Sequence, residues 1–262
     1  GNTSGSGFNN NLYQLVFGAD TYVDHERGIK LGGGLALSNT TVSMGTSSNG
    51  TSTIQQGALF VYGKMPVAEN YALDGTASVG LSSTNLARSD ITGLSSGFSN
   101  KAVSGSDALV SVGFSRPFDY SDVRFTPYAR LTYQYVGQAA YHEGSTAAAL
   151  NIASFSGSAV RGVVGVAAGS LNKDPLKDAY TYRANVAVGT DTTGLINPTV
   201  NTTLAGYTGS VTTATAGSTF LQVGLYGTVN ITDNAYAYAG VSGEARTGQT
   251  LYGGTIGLRM AF

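Results

Sequence analysis

The chain has no cysteine, no tryptophan and two histidines, and only 11% of its 262 residues are Asp, Glu, Lys or Arg. Without cysteine there is neither a disulfide framework nor a structural thiolate zinc site. The charged fraction is under half of the roughly 25% usual for soluble domains, so the surface is not the Lys- and Glu-covered surface of an ordinary soluble protein. A net charge of −1 gives no reason to expect a nucleic-acid partner. No apolar run approaches the roughly 18 residues that a membrane-crossing helix needs. The opening "GNTSGSGFNNN" is polar and glycine-rich, without the basic and apolar regions of a secretory leader. It reads as the start of a mature form, or of a piece of something longer.

What the chain has in abundance is glycine (37), tyrosine (16) and a two-residue alternation. Helical periodicity is absent. In "LYQLVFGADTYV", Tyr13, Leu15, Phe17, Ala19 and Val23 share one face, with Gln14, Gly18, Asp20 and Tyr22 on the other. The same division recurs in "GIKLGGGLAL", "ALFVYGKM", "ALVSVGFSRPF", "RFTPYARLTYQY" and "FLQVGLYGTVNI". One face is apolar each time; the other is small, polar or aromatic, with recurring Arg and Lys. Successive strand residues point to opposite faces, so each segment is a two-faced strand. About eleven such segments are expected, near 12–23, 28–42, 53–67, 70–88, 105–119, 122–142, 155–170, 178–190, 217–232, 234–246 and 250–262. Many exceed the roughly 9–11 residues with which a tilted strand crosses a bilayer, whereas globular strands average about 5–6.

Connections follow a rhythm too. Short turns at "DHERG" (24–28), "AEN" (68–70), "DYSD" (119–122), "NKDPLKD" (172–178) and "TDN" (232–234) alternate with long Ser/Thr/Asn/Gly stretches. Among those stretches are "SMGTSSNGTS", "RSDITGLSSGFSNKAVSGS" and the run from 189 to 218. Outer-membrane barrels have this layout, with short periplasmic turns and long outer loops. A soluble β-sandwich would also alternate, but strand length, low charge and loop rhythm argue against it. The expectation is an all-β, antiparallel transmembrane β-barrel over residues 12–262, preceded by a polar segment at 1–11. With no Trp, its interfacial girdle would be Tyr and Phe.

The ending "YGGTIGLRMAF" places Phe262, Met260, Leu258 and Ile256 on one face and Arg259 on the other. Together with "LVFGAD", "IKLGGGLAL", "GALFVYGKM", "PYARLTYQY", "VGLYGTVNITDN" and "YAYAGVSGEA", it resembles the C-terminal translocator domain of autotransporters, the type V secretion proteins. The resemblance covers nearly the whole chain and rests on order and pattern. It implies a twelve-stranded barrel in the outer membrane of a Gram-negative bacterium that secretes its own N-terminal passenger to the cell surface. It also implies a passenger or linker segment within the lumen, lipid around the barrel, and recognition by the barrel assembly machinery. In that reading Ile256, Leu258, Met260 and Phe262 form the lipid face and assembly signal. The lumen-lining candidates are Asp20, Lys30, Tyr62, Arg124, Arg130, Gln222, Tyr226, Glu244 and Arg259.

Single-chain bacterial barrels have even strand numbers. Eleven segments therefore call either for a strand upstream of Gly1 or for a further strand hidden in 178–232, where "NPTVNTTLAGY" is a candidate. No catalytic residue, cofactor or metal site is expected. His25 falls in a short turn and His142 at the opposite end, so the two cannot share a site, and no nucleophile-elbow motif is present. Asn9, Asn10 and Asn11 are expected in a loop outside the first strand. Two other functions fit a barrel: a small-solute porin whose 191–216 stretch folds inward, or an OmpA-like adhesin binding through its outer loops.

Overall fold

A computed structural model describes residues 8–44, 50–88, 98–143, 149–171, 178–192, 194–195, 199–204, 207–212 and 216–260. Within these, every regular element is a strand: β1 (Phe8–Asp24), β2 (Ile29–Met44), β3 (Gly50–Ala68), β4 (Tyr71–Arg88), β5 (Phe98–Ser115), β6 (Phe118–Tyr120), β7 (Val123–Gln138), β8 (Tyr141–His142), β9 (Leu150–Ile152), β10 (Phe155–Ser170), β11 (Tyr180–Asp191), β12 (Thr199–Leu204), β13 (Tyr207–Thr212), β14 (Thr219–Thr232), β15 (Ala235–Arg246) and β16 (Gln249–Met260). The main sheet runs β1-β2-β3-β4-β5-β7-β10-β11-β14-β15-β16, each strand antiparallel to its neighbour. β6 is the tail of β5 beyond a break at Pro117, and it stays on β7 through Phe118↔Phe125. Proline cannot donate to a ladder, so the strand is interrupted there.

Contacts that skip strands show which way the sheet curls. Asp20 of β1 meets Tyr62 of β3, Gln56 of β3 meets Asp107 of β5, and Arg161 of β10 meets Glu244 of β15. Side chains on non-adjacent strands approach one another only on a concave face. The two ends of the sheet also come together: Arg259 Nη2 of β16 lies 3.0 Å from Asp20 Oδ2 of β1. The architecture is an antiparallel β-barrel. Among the described residues, no backbone ladder joins β1 to β16.

Register carries the face assignment around the barrel. Asp20↔Gly32, Gly32↔Tyr62, Tyr62↔Thr76 and Asp74↔Gly113 keep one parity of residues inside, and the remaining ladders continue it. The convex face is apolar: Leu15, Phe17, Leu59, Val61, Val79, Leu81, Val112, Leu131, Val188, Leu225 and Leu258 are all exposed there. Among the described residues no large side chain is fully buried, and they form no ordinary core. This is the burial pattern of a barrel whose apolar face meets hydrocarbon and whose backbone polar groups are satisfied between strands.

Two features differ from the sequence expectation. β1 begins at Phe8, so Asn9, Asn10 and Asn11 are ladder residues opposite Ser43, Val42 and Thr41, not loop residues. Strand also occurs inside "NPTVNTTLAGY", but as the hairpin β12–β13, which joins β9 and β8 in a separate four-stranded sheet of order β13-β12-β9-β8. The main path keeps eleven strands. Phe262 lies outside the described residues.

Short turns sit at one end, helped by a left-handed backbone at Gly28 (φ 66°) and Asn70 (φ 64°), residue types that tolerate it. The long connections and the small sheet lie at the other end, together with one tight turn, 247–248 between β15 and β16.

The two-faced wall predicts opposite outcomes at neighbouring positions mid-β4. Val79→Arg, on the convex face, should lower stability in lipid vesicles by about 2–4 kcal/mol, while Ser78→Arg, on the concave face, should cost under about 1 kcal/mol. Urea titration of the folded barrel in vesicles measures both.

Candidate functional site

The concave face is built by strands whose inward residues are small, hydroxylated, aromatic or charged. All nine sequence candidates lie on it. Asp20, Lys30 and Tyr62 meet at the short-turn end, where Lys30 Nζ is 2.8 Å from Asp20 Oδ1 and the Tyr62 hydroxyl donates to Asp20 Oδ2 at 2.7 Å. Arg259 adds a third donor to the same carboxylate. Arg124 pairs with Asp119 beside the β6–β7 turn, its Nη2 donating to Oδ2 at 2.7 Å. Arg130 donates to Asp74 of β4 and to Ser111 Oγ at 3.1 Å. Ser111 in turn shares a hydrogen bond with Thr132, both buried. Gln222 stands opposite Glu244 in the ladder, and Tyr226 opposite Gly240.

Glu244 belongs to a group that single-strand reading had not assembled. Arg161 holds Asp191 in a two-point fork, Nε–Oδ1 2.7 Å and Nη2–Oδ2 2.8 Å, and reaches Glu244 Oε2 at 3.0 Å. Arg246 donates to Asp191 Oδ2 at 2.9 Å and to Glu244. The ring of Phe220, 2% exposed, receives both guanidinium groups, at 4.5 Å and 4.9 Å from its centroid. Two cations and two anions thus balance at the long-loop end, tying β10, β11, β14 and β15 together. Planar guanidinium suits both the fork and the aromatic face. The sequence signal for Arg161 and Asp191 was available: a charge inside an otherwise apolar strand points inward, because the lipid face would be costly.

Six inward aromatics lie directly opposite a glycine on the next strand: Tyr62–Gly32, Phe60–Gly34, Tyr128–Gly165, Phe220–Gly189, Tyr226–Gly240 and Tyr238–Gly257. At Gly32 an added Cβ would come within 2.5 Å of the Tyr62 ring and 2.7 Å of Asp20 Cβ. Each ring therefore lies flat over its neighbour's backbone instead of projecting into the interior. Rings laid over glycine also recover packing that a bare glycine strand lacks.

No cluster of three or more metal-ligating side chains occurs among the described residues. His25 is in the β1–β2 turn and His142 in β8.

A family model described as Autotransporter beta-domain matches residues 1–242. The chain belongs to that family. Among solved structures, the fold is similar to the translocator domain of NalP from Neisseria meningitidis (17% identity, TM-score 0.73, covering 100% of this chain and 83% of that one). It is likewise similar to the β domain of the Bordetella autotransporter BrkA (15%, 0.64, 97% and 92%). A third match is the transport unit of AIDA-I from Escherichia coli (13%, 0.65, 98% and 86%). Comparison with curated proteins by sequence gives no match. As an autotransporter β-domain, the chain is an outer-membrane translocator of the Gram-negative secretion type, with a passenger as its cargo.

Two predictions follow from the wall of this translocator. Gly257→Ala drives a methyl into the Tyr238 ring, whereas Gly253→Ala on the same strand meets no atom within 4 Å. The first should destabilise the barrel by about 1–3 kcal/mol and the second should leave it unchanged or slightly firmer, read by thermal melting in micelles. Arg246→Met leaves Asp191 and Glu244 with one cation instead of two, and should cost about 3–5 kcal/mol. Adding Glu244→Gln should return part of that loss, as a double-mutant cycle will measure.

Proposed function

We propose that the concave face is the wall of the secretion pore, lined by Asp20, Lys30, Tyr62, Arg124, Arg130, Gln222, Tyr226, Glu244 and Arg259, and that a passenger or linker segment lies within it. The observation that carries this reading is the sorting of charge. Among the described residues, the cross-strand ion pairs of Asp20, Asp74, Asp119, Asp191 and Glu244 lie on the concave side, against an apolar convex side. A polypeptide crossing here meets hydroxyls, glycine backbone and ion pairs already satisfied by one another, a surface that binds no sequence tightly. The chemistry asked of the wall is passage, and this segment carries no catalytic step.

In the same reading the convex face contacts outer-membrane lipid, and the short-turn end faces the periplasm. Ile256, Leu258 and Met260, exposed on β16, act with Phe262 as the element read by the barrel assembly machinery. An edge strand with an apolar outer row suits recognition by strand addition.

Protease treatment of intact cells tests the function. Polypeptide joined upstream of this chain should be cut at the cell surface while the barrel resists; a folded barrel with that polypeptide still protected would overturn the reading. For the assembly element, Phe262→Ser should lower the amount of heat-modifiable barrel in the outer membrane while leaving refolding into detergent intact. Equal losses in both would assign the residue to stability alone.

A further inference from the structure

The alternation that sorts charge to the concave side has one clear exception. Among the described strand residues, the ladders of the main sheet put Asp, Glu, Lys and Arg side chains on the concave side, apart from Asp24, which its own turn holds through Arg27. Arg116 has the opposite parity. It follows β5 directly, and its N–H donates to Pro127 O at 3.1 Å, one step beyond the Ser115↔Tyr128 pair. Phe114, Arg116 and Phe118 therefore form one row on the convex face, and all three are exposed.

An arginine on the lipid face is costly at mid-bilayer and nearly free at the interface. Arg116 stands at the short-turn end, beside the break at Pro117, and aromatic rings of the kind that mark headgroup level surround it. Its guanidinium carbon is 5.1 Å from the centroid of Tyr71. Tyr71 stacks on Phe114 at 5.4 Å, and Phe118 stacks on Phe125 at 5.7 Å. The Tyr71 ring thus takes one face of the cation. The N–H edge is left over: among the described residues the Arg116 side chain makes no ion pair and no hydrogen bond. Asp119, close by in β6, is held by Arg124, and Glu69 of the β3–β4 turn makes no ion pair with Arg116. A planar edge of donors without a carboxylate matches the two-point geometry of a phosphate.

We propose that Arg116, backed by Tyr71 and Phe114, is a binding site for an anionic glycerophospholipid of the leaflet that meets the short turns. The phosphodiester accepts from the N–H edge of the guanidinium. The acyl chains run along Leu73 and Val112, the next outward residues of β4 and β5. A headgroup with a net negative charge is favoured, because a zwitterionic lipid brings its own ammonium to the phosphate and Arg116 has no carboxylate beside it to receive that ammonium. The proposal rests on the reading of the convex face as the lipid-facing one. It adds a place on that face where one class of lipid is retained over its neighbours.

The chain has no tryptophan, so a single introduced indole reports on its own surroundings. Phe118→Trp places one beside Arg116, and Tyr180→Trp places one on the outward row of β11 at the same end, away from it. The folded chain is studied in phosphatidylcholine vesicles that contain a small fraction of brominated phosphatidylglycerol, or the same fraction of brominated phosphatidylcholine. At Phe118→Trp, phosphatidylglycerol should quench as though enriched roughly fivefold; at Tyr180→Trp the two lipids should quench alike. Arg116→Gln should remove the preference and Arg116→Lys should keep part of it. Arg183→Gln, which removes a cation from the concave face at the same end, should leave it unchanged. Heat-modifiable migration confirms that each variant is folded. Equal quenching at Phe118→Trp, the same preference at both reporters, or a preference that survives Arg116→Gln would overturn the site. Loss of the preference on adding free glycerol phosphate would overturn it too, by assigning Arg116 to soluble phosphate esters. In each of these cases lipid still quenches, so the lipid-facing reading stands. No quenching by either lipid at either reporter would remove that reading, and the proposal with it.

Discussion

A backbone that crosses hydrocarbon has no water to satisfy its N–H and C=O groups, so each must find a partner within the protein. For this chain the partner is the next strand along the sheet from β1 to β16, and the rest of the structure follows from that constraint. Strands of 12 to 19 residues make up the main path, because a shorter ladder would leave polar groups in lipid. The sheet curls until its two edge strands meet through the side chains of Arg259 and Asp20. Once the sheet is curled, the two-residue alternation of each strand becomes a division between lipid and lumen. The chain needs no core in the usual sense, and the buried cluster of Val163, Ala187 and Phe220 with Tyr128 is a local thickening of the wall.

The concave face then has to solve a second problem, which is to stay wet without collapsing inward. Glycines answer part of it, since a ring laid over Gly32 or Gly257 occupies wall and not lumen. Ion pairs answer the remainder. Arg161 and Arg246 are long enough to fill the interior, but Asp191, Glu244 and the Phe220 ring draw both against the wall. Burial makes this group a structural element as much as an electrostatic one. Removing one partner leaves another charge without its counter-ion in a site that water does not reach freely.

How much of this was legible follows from which residues feel two different environments. Between lipid and lumen, Leu15 and Gln14 or Val61 and Tyr62 are forced apart in character, so parity could be read from single strands. Beyond the bilayer both faces are wet and the signal fades. Asn9–Asn11, the Ser- and Gly-rich start of β5, and the Thr-rich β12 and β13 therefore looked like loop. Register was invisible for a different reason. The fit of Tyr238 over Gly257, or the meeting of Arg161 with Glu244 three strands away, depends on how strands slide past one another, and no one strand encodes that. Hence Glu244 stood out as a lone inward charge while its partners Arg161, Asp191 and Arg246 passed unnoticed.

A secretion pore also meets a constraint that an enzyme site does not: it must accommodate a chain without holding on to it. Satisfied ion pairs and hydroxyl pairs such as Ser111 with Thr132 meet that requirement because they have little left to offer a passing backbone. Arg130 is held in the same way, by Asp74 two strands away and by Ser111 on the neighbouring strand, so a long cation near the middle of the wall already has its partners. The pairing that keeps these side chains against the wall is also what leaves them with little to offer a passing chain.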